Sequence, residues 1–249
     1  GGKGWYQDLE VIGTGASCVV YRAVFADDSA GHPTTDHLLK EYNPARLHTE
    51  RRPDGCLVPA PYDREAYNAG LQQFRNGYVC QQKIRRVADL TNSTSNIQRV
   101  FDANGTAYID MTVMNGQTYT QVKEPDLYQL LRRMRTLTEV IGNYHKAGYL
   151  HLDIKPDNVY YAPGRDHFKL GDFGEAVRRE SGRNVAENKL VGTLYYMAPE
   201  VYNKRGADHR SDIYSLAMTV YQLLNNDRIP FMPTAGPVTA DDWKRAMEI

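Results

Sequence analysis

A change of hydrophobic period near residue 115 constrains this chain more than any other feature of its sequence. Upstream, apolar residues come in short runs that alternate with polar or small ones, whereas downstream they recur every three or four positions. A sheet followed by helices, segregated into two lobes at 1–114 and 115–249, accommodates both periods in an α+β architecture. Residues 5–25 read as two short strands around the turn Gly13–Ser17, and Leu38–Tyr42 reads as a third. The run Ile97–Phe101, the dipeptide Asn104-Gly105 and the run Ala107–Val113 form the clearest hairpin, because Asn-Gly supplies the positive φ of a tight turn. A sheet of five antiparallel strands results.

Between Asn43 and Asp63, the four prolines Pro44, Pro53, Pro59 and Pro61 and the lack of any period predict an exposed insertion able to carry regulation. From Arg64 to Leu90, Ala66, Leu71, Phe74, Tyr78, Ile84 and Val87 keep helical spacing. That helix is continuous or broken at Gly70 and Gly77. Beyond Asn115-Gly116, the stretch Pro125–Ala147 is amphipathic, with Leu127, Leu130, Leu131, Met134, Leu137, Val140 and Ile141 as its apolar stripe. Arg132, Arg133 and Arg135 read as its solvated face.

The 249 residues are 41% hydrophobic and 24% charged, which suits one or two packed domains. Lys+Arg 30 balance Asp+Glu 30, so no global field favours nucleic acid or anionic lipid, and neither is expected as a partner. The longest nearly apolar run, Ile213 to Leu224, is too short to cross a bilayer, and no signal-like stretch opens the chain, which predicts a soluble segment. Cys18, Cys56 and Cys80, without a C-x-x-C pair, provide neither a disulfide framework nor a zinc knuckle. A cytoplasmic setting is expected, or the cytoplasmic face of a membrane if an anchor lies outside this segment. Oligomeric state is left open.

Chemistry concentrates in His151-Leu152-Asp153-Ile154-Lys155-Pro156-Asp157-Asn158, which follows the long helix. A carboxylate, an ammonium and an amide at 153, 155 and 158 share one small volume if the backbone loops there, as Pro156 encourages. Such a group can orient a hydroxyl, neutralise a phosphate and hold a metal; alone, it could also be a polar turn that caps helices. With this segment the sequence resembles the eukaryotic-type (Hanks-type) serine/threonine protein kinases. The resemblance extends in order through Gly13-Thr14-Gly15-Ala16-Ser17-Cys18-Val19-Val20, Lys40, Asp172-Phe173-Gly174 and Ala198-Pro199-Glu200. It implies a bilobal kinase-like fold, with a strand-rich N-lobe bearing one helix and a mainly helical C-lobe. The cofactors it implies are ATP and Mg²⁺.

By this resemblance Gly13 and Gly15 admit the phosphates, Val20 walls the adenine, and Lys40 pairs the α- and β-phosphates. Asp172 and Asn158 would be the metal ligands, Asp153 would accept or orient the hydroxyl proton, and Lys155 would sit against the γ-phosphate. Met111 resembles the gatekeeper, and Thr112, Val113 and Met114 the adenine hinge. Asp212 resembles the aspartate that braces the catalytic loop, and His151 packs beside Phe173. Lys155 together with Gly192-Thr193-Leu194-Tyr195-Tyr196-Met197 resembles serine/threonine rather than tyrosine kinases, with Thr193 bonding Asp153 and Lys155.

Four departures are visible. Cys18 stands at the third position of the glycine motif. Leu152 replaces the arginine that usually precedes the catalytic aspartate (a non-RD pattern), which implies activity that does not depend on phosphorylation at Ser181 or Thr193. The glutamate expected to pair with Lys40 is missing from Phe74–Leu90, leaving Gln81 or Glu65 in that role. The chain also ends at Ile249, where the family continues through further helices, so the second lobe is either truncated or reduced. The divergent helix and the 43–63 insertion resemble bacterial members. The leading expectation is a protein kinase acting on Ser/Thr hydroxyls of protein substrates. The alternatives are a pseudokinase scaffold, against which Lys40, Asp153, Asn158 and Asp172 all argue, and a small-molecule kinase, against which Ala198-Pro199-Glu200 and Thr193 argue.

Overall fold

The computed structural model describes residues 4–27, 35–87, 90, 94, 97–112, 117–122, 126–162, 167–179, 185, 191–237, 239 and 241–242. Backbone contacts divide the chain into two compact units, Gly1–Gln82 with Ser95–Asn115 and Lys83–Thr94 with Gly116–Ile249.

The first unit is built on β1 (Gly4–Thr14), β2 (Cys18–Asp27), β3 (Thr35–Tyr42), β4 (Thr49–Arg51), β5 (Leu57–Pro59), α1 (Arg64–Arg85), β6 (Ile97–Ala103) and β7 (Thr106–Thr112). Five of the strands form an antiparallel sheet in the order β1-β2-β3-β7-β6. Asn104 and Gly105 both have positive φ in the β6–β7 turn, as their residue types predict.

One expectation changes here, and one open alternative is decided. The 43–63 insertion is not a featureless loop, because β4 and β5 pair across a turn closed by Gly55, and Leu57 is only 4% exposed. Leu57 joins Tyr42, Tyr67, Phe74, Ile97, Ala107 and Ile109 in the core between helix and sheet. Strands of three residues are too short to show a period, which hid this hairpin. α1 in turn runs unbroken through both glycines. At Gly70 a Cβ would collide with the Tyr42 hydroxyl, so this glycine lets helix and sheet approach and does not interrupt the helix.

The second unit contains β8 (Gln117–Thr118), α2 (Leu127–Lys146), β9 (Tyr149–Leu150), β10 (Val159–Ala162), β11 (His167–Leu170), β12 (Val177–Arg178), α3 (Pro199–Tyr202) and α4 (His209–Leu224). Its strands pair as β11-β10-β8 and β12-β9. The Asp126 carboxylate caps α2 by accepting from the Gln129 amide. Leu130, Met134, Leu137, Val140, Ile141 and Tyr144 form the buried face of α2. Leu127 and Leu131 do not belong to it: they are 58% and 51% exposed, on a row displaced to the side of that stripe. Arg133 also departs from the solvated face, since its guanidinium lies 4.4 Å from the Tyr161 ring centroid. Among the described residues, no helix is long and apolar enough to cross a membrane.

Candidate active site

Within the first unit, backbone pairing aligns the expected nucleotide residues in a row. Gly13 is the register partner of Val20, Val20 of Lys40, and Lys40 of Ile109. Met111 and Thr112 continue β7 opposite Leu38 and His37. Met114 and Val113 lie outside the described residues. A Cβ at Gly13 would meet nothing within 4 Å, and one at Gly15 only the Cys18 carbonyl at 3.8 Å. Neither glycine has a positive φ. Internal packing and backbone conformation therefore leave these glycines unexplained; open space above them for an outside group explains both.

Of the two candidates for the partner of Lys40, Glu65 is exposed in the first turn of α1, whereas Gln81 is 3% exposed. Gln81 shares the helix face of Tyr67 and Phe74, fourteen and seven residues away, which pack on Tyr42. Tyr42 and Lys40 are two apart on β3 and lie on the same side of the sheet. The neutral amide, not the carboxylate, is thus the α1 residue on the sheet-facing side.

In the second unit the loop between β9 and β10 gathers its polar groups tightly. Thr193 Oγ1 donates to Asp153 Oδ1 at 2.7 Å, and Lys155 Nζ lies 2.7 Å from Thr193 Oγ1 and 3.0 Å from Asp153 Oδ2. Asn158 Nδ2 donates to Asp153 Oδ2 at 2.9 Å and to the Asp153 carbonyl at 2.8 Å. The sequence reading brings 153, 155 and 158 into one small volume, and the structure adds that the amide bonds the carboxylate directly. Because its Nδ2 is committed to Asp153, the remaining polar atom of Asn158 is the oxygen Oδ1. Asp172 is exposed, with φ 55°. A carboxylate and an amide oxygen are the hard donors that a Mg²⁺ ion accepts alongside phosphate and water, so these residues fit the metal.

Asp212, buried in α4, holds the loop from below. Its Oδ2 accepts the His151 amide at 3.0 Å and its Oδ1 the Leu152 amide at 2.8 Å, while His145 Nε2 lies 2.8 Å from Oδ2. These bonds hold Leu152 at φ 63°, a conformation that a bulky residue adopts only under outside constraint. Leu152 itself is buried with Leu150, Val191, Ala198 and Val201. Gly192, at φ +92°, passes so close to the Leu152 carbonyl that any Cβ there would collide with it. His151 packs against Phe173 with ring centroids 4.9 Å apart and planes tilted by 57°, and its Nε2 lies 3.0 Å from the Gly171 carbonyl. Phe173 also stacks on Tyr144, whose hydroxyl meets Thr94 Oγ1 at 2.6 Å and whose pKa is raised by burial. That support for Phe173 has no sequence signal, because its members lie 29 and 50 residues from Tyr144. Ser181 lies outside the described residues.

Comparison with known proteins identifies the family. The sequence model of the family described as protein kinase domain matches residues 82–246, more than half of the chain. Serine/threonine-protein kinase PknE of Mycobacterium tuberculosis is 33% identical over 135 residues, covering 49% of this chain and 22% of its own length. A probable serine/threonine-protein kinase, pknA2 of Bifidobacterium longum, is 28% identical over 167 residues, covering 64% of this chain and 22% of its own. The chain therefore spans under a quarter of the length of these relatives. Among solved structures, the apo form of PpkA-294 aligns with a TM-score of 0.64 at 26% identity, over 89% of this chain and 75% of that one.

Proposed function

The chain belongs to the protein kinase domain family, and on that premise we propose that it transfers the γ-phosphoryl group of ATP to serine or threonine hydroxyls of protein substrates. The observation that carries this reading is the cluster around Asp153, in which Thr193, Lys155 and Asn158 all bond one carboxylate. Three donors to a single carboxylate fix its orientation, which is what a group receiving a hydroxyl proton requires.

In the reaction, the substrate hydroxyl oxygen forms a bond to the γ-phosphorus as the bond to the bridging oxygen of ADP breaks, and the hydroxyl proton passes to Asp153. Lys155 offsets the negative charge that develops on the transferring group. Asp172 and Asn158 would hold Mg²⁺, which when bound neutralises the phosphate oxygens. Gly13, Gly15, Val20 and Lys40 would receive the nucleotide, with adenine against Met111, Thr112 and Met114. With Gln81 in place of a glutamate, Lys40 is steadied by an amide dipole in place of a full charge. Leu152, packed among apolar residues, offers no guanidinium for a loop phosphate, which supports activity without loop phosphorylation.

Purified protein with Mg²⁺, γ-labelled ATP and a basic protein substrate tests the reading. Label is expected on serine or threonine and is expected to be absent with Asp153→Ala and Asp172→Ala. Nucleotide binding without any transfer would identify a scaffold instead, and label on a small alcohol but no protein would move the substrate class.

A further inference from the structure

The glycine-rich turn of the first unit is tied down from an unexpected side. The Ser17 carbonyl accepts the Asn43 amide at 2.9 Å, and the Ala16 carbonyl accepts the Ala45 amide, also at 2.9 Å. Both donors belong to the start of the 43–59 insertion, immediately after the strand that carries Lys40. Within the turn the Gly15 amide bonds the Cys18 carbonyl at 2.8 Å.

The insertion is itself firmly anchored. Glu41, 1% exposed, accepts Arg51 Nη2 at 2.8 Å and the Tyr108 hydroxyl at 2.6 Å on Oε1, and the Tyr21 hydroxyl at 2.7 Å on Oε2. Arg51 Nη1 closes the hairpin by donating to the Gly55 carbonyl at 2.9 Å. The Leu57 amide bonds the Asn104 carbonyl at 2.7 Å, and the Ala60 amide bonds the His48 carbonyl at 2.8 Å. A segment fixed at so many points can hold whatever its own backbone grips.

Peptide planarity determines what that grip does. In a trans peptide the C=O and the following N–H point in opposite directions, and no cis peptide bond occurs among the described residues. With the Ala16 carbonyl turned toward Ala45, the Ser17 N–H points away from the insertion. Acceptor oxygens, which would repel a phosphate, are thus engaged on one side, while a donor is directed to the other. In the same turn a Cβ at Gly13 would meet nothing within 4 Å, and one at Gly15 only the Cys18 carbonyl at 3.8 Å.

We infer that the 43–59 insertion is a positioning clasp that presets the glycine-rich turn for phosphate, acting through the Asn43 and Ala45 amides on the Ala16 and Ser17 carbonyls. This rests on the nucleotide-binding reading of the same turn. A turn that is already in its binding conformation spares the ligand the cost of ordering it, so apparent affinity scales with the fraction of molecules in that conformation.

Ala45→Pro deletes one clasp donor and nothing else on the chain's polar inventory. The Leu47 amide bonds the Pro44 carbonyl, so Ala45 occupies the second position of a turn, where the fixed φ of proline is welcome. Dissociation constants for Mg·ATP and for adenosine are measured on the full chain, beside hydrogen exchange of residues 15–18. Loss of one hydrogen bond predicts Mg·ATP binding weaker by about three- to tenfold, with adenosine affinity unchanged and exchange of the turn accelerated. Arg51→Met, which frees the hairpin from Glu41, moves the same two readouts in the same direction, and Arg51→Lys restores part of the loss. Equal Mg·ATP affinity in parent and Ala45→Pro overturns the clasp while leaving the kinase reading intact, and so does an equal loss of ATP and adenosine. A parent that binds neither ligand overturns the kinase reading itself.

Discussion

The proposed function gives the loop at 151–158 and the glycine-rich turn at 13–18 each a part in handling phosphate, yet the two are held by opposite means. The first is fixed by side chains gripping backbone and one another: Asp212 on two amides, Asn158 and Lys155 on Asp153. The second is fixed by backbone gripping backbone, with register pairs along β1 and β2 and the Asn43 and Ala45 amides on its tip. A side-chain lock has definite residues whose loss breaks it, and it can impose strain such as the positive φ of Leu152. A backbone lock tolerates most substitutions and leaves the turn free of bulk. On the proposed function, the division suits one region that holds reacting groups precisely and another that admits a large anion.

Substitutions sharpen this contrast. Asp212→Ala is expected to have the largest effect on stability, about 3 kcal/mol, because two buried amides and His145 lose their acceptor together. Denaturant unfolding measures it, and a loss under 1 kcal/mol would mean that the loop is held elsewhere. Gly192→Ala follows at about 2 kcal/mol, since an added methyl meets the Leu152 carbonyl at a backbone angle that only glycine adopts freely. Gly13→Ala should leave stability within about 0.5 kcal/mol, having nothing to strike. Its effect should appear as Mg·ATP affinity weaker by about tenfold, read by equilibrium titration. If the two alanines destabilise equally, the contrast between the regions is lost.

How far each region was legible follows from the same difference. The 151–158 loop spells its chemistry in residue types, so Asp153, Lys155 and Asn158 stand out from the sequence, and the structure brings them within hydrogen-bond reach. Gly13 and Gly15 were legible as glycines, but their clasp was not. Its donors are main-chain amides on either side of Pro44, and its anchor joins Glu41 to Arg51 without any motif. Gly70 was misleading for a related reason: sequence shows a weak helix former, whereas the Tyr42 hydroxyl that requires it lies on another element. Leu127 and Leu131 looked like core because apolar character is visible and angular position within a wide stripe is not. The five-stranded sheet was legible where alternation and Asn104-Gly105 spoke together, and the three-residue strands β4 and β5 were not.

The smallest expected effect is on pH. Burial, followed by the hydrogen bond to Glu41, pushes the Tyr21 hydroxyl from near 10 up to about 12, and burial does the same for Tyr42. The unfolded chain ionises these groups above pH 10 while the folded one keeps them neutral, so stability that is intact below pH 10 is lost as pH rises toward 12. Thermal midpoints should hold from pH 8 to 9.5 and decline beyond it. Tyr21→Phe should flatten that decline in part, and a decline of unchanged steepness would remove Tyr21 from the account.

The most direct measurement is single-turnover transfer from γ-labelled Mg·ATP to a serine- or threonine-containing protein by parent and Asp153→Asn, with nucleotide affinity determined on the same samples. The amide keeps the size of the side chain but no longer takes up a proton. Transfer should fall by about a thousandfold while the Mg·ATP dissociation constant stays within about twofold. Transfer that survives in Asp153→Asn, or a parent that binds Mg·ATP and passes no phosphate to protein, would contradict the account.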